Sequence, residues 1–283
     1  MEELPKGRSG SAAAEVAQDA ARLAGRILVE RFGQVKQVTF KGRGNVVTDV
    51  DKEVEVEVIA LLQREYPGMS ILGEESAARA QGTGGPPGAG KGYTWIVDPL
   101  DGTRNYASGI PHYSVVVALA RDGEPVVGVN HDPVRDELFF AERGKGAFLN
   151  GQRIRVSQRT ALDDCIFGSD LSYQNEGAAN GLKLLVGLWP GMQTVRIMGS
   201  AALGLSWAAC GRVDLFFHHQ LEPWDQVAGI LLAQEAGGVA TDRTGQPAAL
   251  RSDGIIATSP ALLREFLCKT DGMAWRNPTH RKA

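Results

Sequence analysis

Along residues 11–32 the apolar side chains of Val16, Ala20, Leu23, Ile27 and Leu28 recur at helical spacing, with Ser11 placed to cap the start and Gly33 to stop the run. A long first helix is the expectation. The next segment is ambiguous. In residues 51–65 the stretch EVEVEVI alternates like a strand, while Val54, Val58, Leu61 and Leu62 share one helical face and Pro67 closes the run. The shared face favours a second helix.

After a polar Gly/Pro segment the period changes. YTWIV, YSVVVALA, EPVVGVN, DELFFAE and GAFLN are short and rich in β-formers, with turn signals such as RDG and ERGKG between them. They predict a largely antiparallel meander. Helices are expected again over residues 178–187, 201–210, 225–236 and 261–267, with short strands such as VDLFF and GIIATS between them. The class is mixed α and β in layers. Residues 1–160 form an N-terminal half with the long helices and the meander, and residues 161–283 form an α/β half. No internal repeat is visible.

Composition narrows the function. The 283 residues are 43% hydrophobic and 22% charged, near the average for globular domains, and no apolar run approaches the ~20 residues that span a bilayer. MEELPKGRSG at the N-terminus has neither an apolar core nor a cleavage pattern, so a cytoplasmic location is expected and no membrane association. Cys165, Cys210 and Cys268 are far apart and odd in number, which suits buried free thiols rather than a disulfide framework or a zinc site. A formal net charge of -3 gives no basic field, and no nucleic-acid partner is expected; the short basic tail RNPTHRK reads as solvated. Residues 85–91 spell G-x-x-x-x-G-K, but Gly92 replaces the hydroxyl residue of a P-loop and the strand follows rather than precedes. A surface linker is the expectation there.

The stretch WIVDPLDGT sets Asp98 and Asp101 beside a proline and a glycine. Asp-Pro and Asp-Gly are ordinary turn dipeptides, so a turn and a site are both open readings. Acidic residues recur beside apolar ends in VTDVD (Asp49, Asp51), ILGEES (Glu74, Glu75) and EPWDQVAG (Asp225). Each has a structural alternative: Asp49, Asp51 or Asp225 can cap a helix, and Glu74 and Glu75 can line a solvated loop. In one cleft, however, two unit charges about 4 Å apart repel by roughly 4 kcal/mol at an effective dielectric near 20. A hard cation such as Mg²⁺ resolves this, shared between carboxylates, a carbonyl such as that of Leu100, and substrate phosphate. Gly102 and Thr103 can then offer backbone N–H groups to a phosphate oxygen.

GEES, WIVDPLDGT and PWDQVAG stand in the order and at about the spacing found in the inositol monophosphatase family, which the chain resembles from about residue 11 to 268. The resemblance implies an α+β fold, a layered α/β/α/β/α sandwich, usually as a homodimer. It implies a Mg²⁺-dependent, lithium-sensitive phosphomonoesterase acting on a small polyol or sugar phosphate through metal-activated water. Glu74, Asp98 and the Leu100 carbonyl would hold one ion, and Asp98, Asp101 and Asp225 a second, with a third, weaker ion near Glu74. Thr103 and Asp51 would orient the attacking water, with Lys41 nearby. Asp101, Gly102 and Thr103 would meet the phosphate, and Gly199, Ser200 and Ala201 the substrate ring.

One position departs from the pattern. Many inositol phosphatases carry a glutamate seven residues before the last metal aspartate, bonding ring hydroxyls, where this chain has His218. An imidazole cannot act as a fixed anion between two hydroxyls. His218 therefore either alters substrate choice or simply ends a strand. Related families use the same metal motifs on fructose bisphosphate, histidinol phosphate, 3′-phosphoadenosine 5′-phosphate or NADP, so these remain alternatives, as does a regulatory binding protein reusing the fold.

Overall fold

A computed structural model describes residues 4–34, 37–40, 46–80 and 92–277. Lys41, the glycine-rich residues 85–91 and most of the basic tail lie outside the described residues. Helices α1 (Ala13–Arg31) and α2 (Asp49–Glu65) flank a ribbon of β1 (Val38–Phe40) and β2 (Val46–Thr48). Strand β3 (Ser70–Gly73) leads into α3 (Glu74–Ala80), and the long β4 (Tyr93–Asp101) into α4 (Thr103–Ala107). An antiparallel meander follows through β5 (Ser114–Arg121), β6 (Glu124–Asp132), β7 (Glu137–Glu142), β8 (Gly146–Leu149) and β9 (Gln152–Arg153). With β3 parallel to β4, these make a seven-stranded sheet in chain order.

The second half alternates β10 (Ile166–Ser169), α5 (Asn175–Leu188), β11 (Thr194–Ile197), α6 (Ala201–Ala209), β12 (Leu215–His218), α7 (Pro223–Glu235), β13 (Val239–Thr241), β14 (Ile255–Thr258) and α8 (Pro260–Lys269). The result is a five-stranded sheet ordered β11-β10-β12-β14-β13, with β11, β10 and β12 parallel.

Side-chain burial explains the layers. In β5, Val115, Val117 and Leu119 join the core beneath α1 and α2, while Val116, Ala118 and Ala120 pack on the opposite side with Val227 and Ala228 of α7. A strand covered on both faces has no reason to alternate, which is why SVVVALA is an unbroken apolar run. Leu205 and Ile230 of α6 and α7 also pack on Phe216, Ile255 and Ala257 of the second sheet. Leu184 and Leu188 of α5 and Leu262 and Phe266 of α8 cover its outer face with Phe167 and Phe217. The order is thus helices, sheet, helices, sheet, helices, as expected. No described helix is long and apolar enough to cross a membrane.

Several local expectations need correction. Ser11 does not cap α1: Ala12 holds that place, and the Glu15 carboxylate accepts the Ala12 N–H at 2.9 Å, so a side chain inside the first turn does the work. EVEVEVI is helical as expected, but α2 starts two residues earlier than expected because Thr48 caps it. β4 does not stop before Asp98. The strand runs on to Asp101 through a bulge, since Asp98 pairs with Val116 and Asp101 with Ser114. One extra residue must therefore loop out, and Pro99, which has no N–H for the ladder, is suited to such a place. Of the three free cysteines only Cys165 is buried; Cys210 is half-buried and Cys268 exposed.

Gly128 on β6 shows how tightly the middle layer sits. A Cβ there would lie 2.9 Å from the Ala228 Cα of α7. Gly128→Val is expected to push α7 from the sheet and to cost about 1–3 kcal/mol of stability, the usual range for overpacking. Urea unfolding of the variant measures this; an unchanged midpoint would refute the close approach.

Candidate active site

The acidic motifs meet at one end of the two sheets, in the wall of a 790 Å³ cavity that includes Glu74, Asp98, Asp101, Thr103, Asp170 and Asp225. The β4 bulge supplies two of them. Asp98 Oδ1 accepts the Leu100 N–H at 3.0 Å across the bulge. Asp101 Oδ2 accepts from the Ser200 hydroxyl, the Ala202 N–H at 3.1 Å and the Ser114 hydroxyl at 3.4 Å, which ties β4 to the start of α6. Asp225 sits in the first turn of α7, where its Oδ2 accepts the Glu222 N–H at 2.8 Å. Helix α7 begins at Pro223, ahead of the expected start, so Asp225 is an in-helix residue and Glu222 the cap.

One carboxylate oxygen from each of Asp98, Asp101 and Asp225 lies within 4.8 Å of the others. Burial, then the charges of Glu74, Asp101 and Asp225, pushes the Asp98 carboxyl well above the usual aspartate range. Burial with Glu74 and Asp101 does the same to Asp225. Asp101 rises to about 6, also through burial, against the opposing bonds from Ser200 and Ala202. All the donors are oxygens, and ionisation of the three together calls for positive charge between them. That chemistry fits a hard divalent cation.

Glu74 opens α3, and it is not in a solvated loop. The Glu55 carboxylate of α2 accepts the N–H groups of Glu75 and Ser76 at 2.8 Å each, capping α3 and fixing where Glu74 stands. Beside the cluster, Thr103 Oγ1 lies 3.0 Å from Asp51 Oδ1 and 2.9 Å from the Leu100 carbonyl oxygen, so one hydroxyl proton is offered to two acceptors. Asp51 is held by the Thr48 N–H at 2.8 Å, and burial lifts its carboxyl to about 6. Gly102 adopts φ 90° as the cap of α4, and a Cβ on it would come 3.1 Å from the His112 carbonyl oxygen and 3.2 Å from that of Gly199. Glycine at 102 is therefore demanded by backbone crowding as well as by the turn.

The family model that matches this chain, the inositol monophosphatase family, covers residues 11–272. The chain belongs to that family. An inositol-1-monophosphatase of Mesorhizobium japonicum is 39% identical over 260 residues, covering 91% of this chain and 95% of the relative. The Nus factor SuhB of Xylella fastidiosa is 40% identical over 237 residues, covering 83% of each. The crystal structure of the extragenic suppressor protein suhB from Bartonella henselae superposes with a TM-score of 0.85 at 36% identity, covering 93% of this chain and 99% of that one.

Against the family pattern, His218 ends β12 and lines the cavity, accepting the Gln220 N–H on Nδ1 at 3.2 Å. Burial lowers its pKa to about 4, so the ring is neutral with its proton on Nε2. Gly199 and Ala201 also line the cavity, whereas Ser200 is buried with its hydroxyl on Asp101. Three residues of the site carried no readable signal. Asn105 pins the loop before α6 through its Nδ2, at 2.8 Å from the His112 carbonyl oxygen and 2.9 Å from that of Met198. Glu55 hides among the valines of EVEVEVI, and Asp170 lies in GSDLS, which reads as an ordinary turn.

These carboxyls set a pH dependence. Asp51 and Asp101 rise from the ordinary 3.8 to about 6 in the folded chain, so between those values the folded state binds more protons than the unfolded one. Cation-free stability therefore falls as pH rises through that window. A cation that holds the carboxylates ionised offsets the loss only above it. Millimolar magnesium is expected to raise the melting temperature by several degrees near pH 8 and by less near pH 5, relative to EDTA. Thermal scans with the larger shift at the lower pH would contradict the cluster as a cation site.

Proposed function

We propose that the chain is a Mg²⁺-dependent phosphomonoesterase that hydrolyses a small polyol or sugar phosphate. The supporting observation is the convergence of Asp98, Asp101 and Asp225 to within 4.8 Å, with Thr103 lining the same cavity and hydrogen-bonded to the buried Asp51 behind it. Asp98, Asp101 and Asp225 would hold one ion, and Glu74, Asp98 and the Leu100 carbonyl another, with a third, weaker one near Glu74. Bound there, magnesium supplies Lewis-acid activation of water and offsets the charge of the phosphate.

The chain's own groups do the rest. Thr103 offers its hydroxyl oxygen to the attacking water and passes proton density to Asp51, whose carboxyl, raised to about 6, is ionised at neutral pH and basic enough to accept it. The backbone N–H groups of Gly102 and Thr103, at the first turn of α4, lack intrahelical partners and serve the phosphate oxygens. Glu74 adds negative charge beside Asp98 that strengthens cation binding. Gly199 and Ala201 line the path of the leaving group. We infer a cytoplasmic homodimer, for which the exposed Leu182 and Val186 of α5 and the adjoining Trp189 offer apolar surface.

A second role has support in the relatives named Nus factor SuhB, which match at comparable identity. The two are separated by phosphate release. With inositol 1-phosphate, turnover is expected with magnesium and not with EDTA. Asp98→Asn should lower kcat by about 10³-fold or more and Thr103→Ala by about 10²-fold. Turnover that ignores magnesium, or a near-normal Asp98→Asn enzyme, would defeat the metal-dependent mechanism, and no turnover with magnesium would leave a regulatory role. A panel of inositol, fructose, histidinol and adenosine phosphates then ranks the substrates.

A further inference from the structure

Arg243 follows β13 and is buried, which an arginine tolerates only when its donors are paired. Its Nε donates to the Asp253 carbonyl oxygen at 3.0 Å, and Nη2 pairs with the Asp253 carboxylate. Nη1 donates to the Trp275 carbonyl oxygen at 2.9 Å and to His219 Nδ1 at 3.2 Å. The guanidinium also lies 5.8 Å from the centre of the Trp275 ring, which in turn packs edge-on against Phe217 of β12 at 5.2 Å. One side chain thus joins the loop before β14, the 3₁₀ turn Ala274–Arg276 and the residue that follows β12.

His219 is the end of this network nearest the acidic cluster. A guanidinium only donates, so His219 Nδ1 accepts and the ring proton stands on Nε2. Burial, then the charge of Arg243, lowers the pKa of the ring, and the acceptor persists at neutral pH. The residue is enclosed on two further sides. A Cβ on Gly177 of α5 would lie 2.8 Å from Nε2, and one on Gly254 would lie 2.8 Å from the His219 carbonyl oxygen. Beyond His219, the connector residues Gln220, Leu221 and Glu222 line the cavity, and the Glu222 N–H holds Asp225 Oδ2 at 2.8 Å at the cap of α7. Asp225 is repelled by Asp98 and Asp101, so a connector free to yield would let it drift away from them.

We propose that Arg243 is a positioning residue for the metal centre: through His219 it fixes the β12–α7 connector, and with it Asp225, while the turn carrying Trp275 closes the clamp from behind. The inference rests on the cation site proposed above. It makes Trp275, which does not line the cavity, part of the machinery that holds the site together.

Melting temperature followed against magnesium concentration at pH 8, without substrate, reads cation affinity apart from turnover. His219→Leu removes the acceptor and leaves Arg243 its bonds to Asp253 and Trp275. The magnesium dissociation constant obtained from the rise in melting temperature is expected to increase about 2- to 30-fold, the range for a packed residue coupled to a distant site. The magnesium concentration for half-maximal phosphate release from inositol 1-phosphate should increase with it. Arg243→Met should act in the same direction, and the double variant should bind magnesium no more weakly than Arg243→Met alone, because both changes cut one link. A lower melting temperature in EDTA with an unchanged magnesium dissociation constant would mean that the two residues only support the core and would overturn the proposal, as would additive losses in the double variant. If Arg243→Met does not fold, His219→Leu alone decides. A wild type whose melting temperature ignores magnesium would overturn the cation site itself, and this inference with it.

Discussion

The controlling constraint is electrostatic: two buried aspartates and a half-buried third bring carboxylate oxygens within 4.8 Å of one another, where their charges repel. The fold tolerates this because different elements hold each carboxylate with donors that do not depend on a bound ion. Asp98 is fixed across its own bulge, Asp101 by Ser200 and Ala202 at the start of α6, and Asp225 by the backbone at the start of α7. Two helix N-termini thus face the cluster, and their partial positive charge relieves part of the repulsion. Burial first, and the remaining repulsion after it, raises the carboxyl pKa values of Asp98 and Asp225, a standing affinity for positive charge that is ready before any cation arrives.

That arrangement depends on the layers. Helices α6 and α7 are packed between the two sheets, so neither can shift without disturbing both cores. The close approach of Ala228 to Gly128 sets the height of α7 on the first sheet, and with it the distance of Asp225 from the β4 bulge. Glu55 plays the same part on the other side by capping α3 and so placing Glu74. Precision at the site is a property of the packed middle layer rather than of the acidic residues alone.

Much of this was legible in the sequence, for identifiable reasons. The run SVVVALA announces a strand buried on both faces, and WIVDPLDGT announces the turn chemistry on which the cluster stands. Strand β13 is only three residues long, and β11, TVRI, lacks the unbroken apolar run that marks the equally short β12 and β14. The start of α1 lies one residue later than expected because Ala12 is the cap, its own N–H held by Glu15 inside the helix, and no Ser11 capping bond forms. Asp170 was invisible for a deeper reason. Its meaning comes from the register of β10 with β12, and no local pattern in GSDLS encodes which distant residue will stand beside it.

Asp170 and His218 stand side by side in the register of β10 with β12, which explains why a glutamate would sit badly at residue 218 in this chain. Asp170 already feels the charge of Asp101, and burial lifts its carboxyl to about 7. A second carboxylate at the end of β12, about 4.8 Å away across the strands, would repel it by a further few kcal/mol at an effective dielectric near 20. Asp170, already about half protonated near neutral pH, would be driven further toward its protonated form. A neutral imidazole, fixed with its proton outward by the Gln220 N–H, avoids that repulsion and supplies a donor in place of a charge.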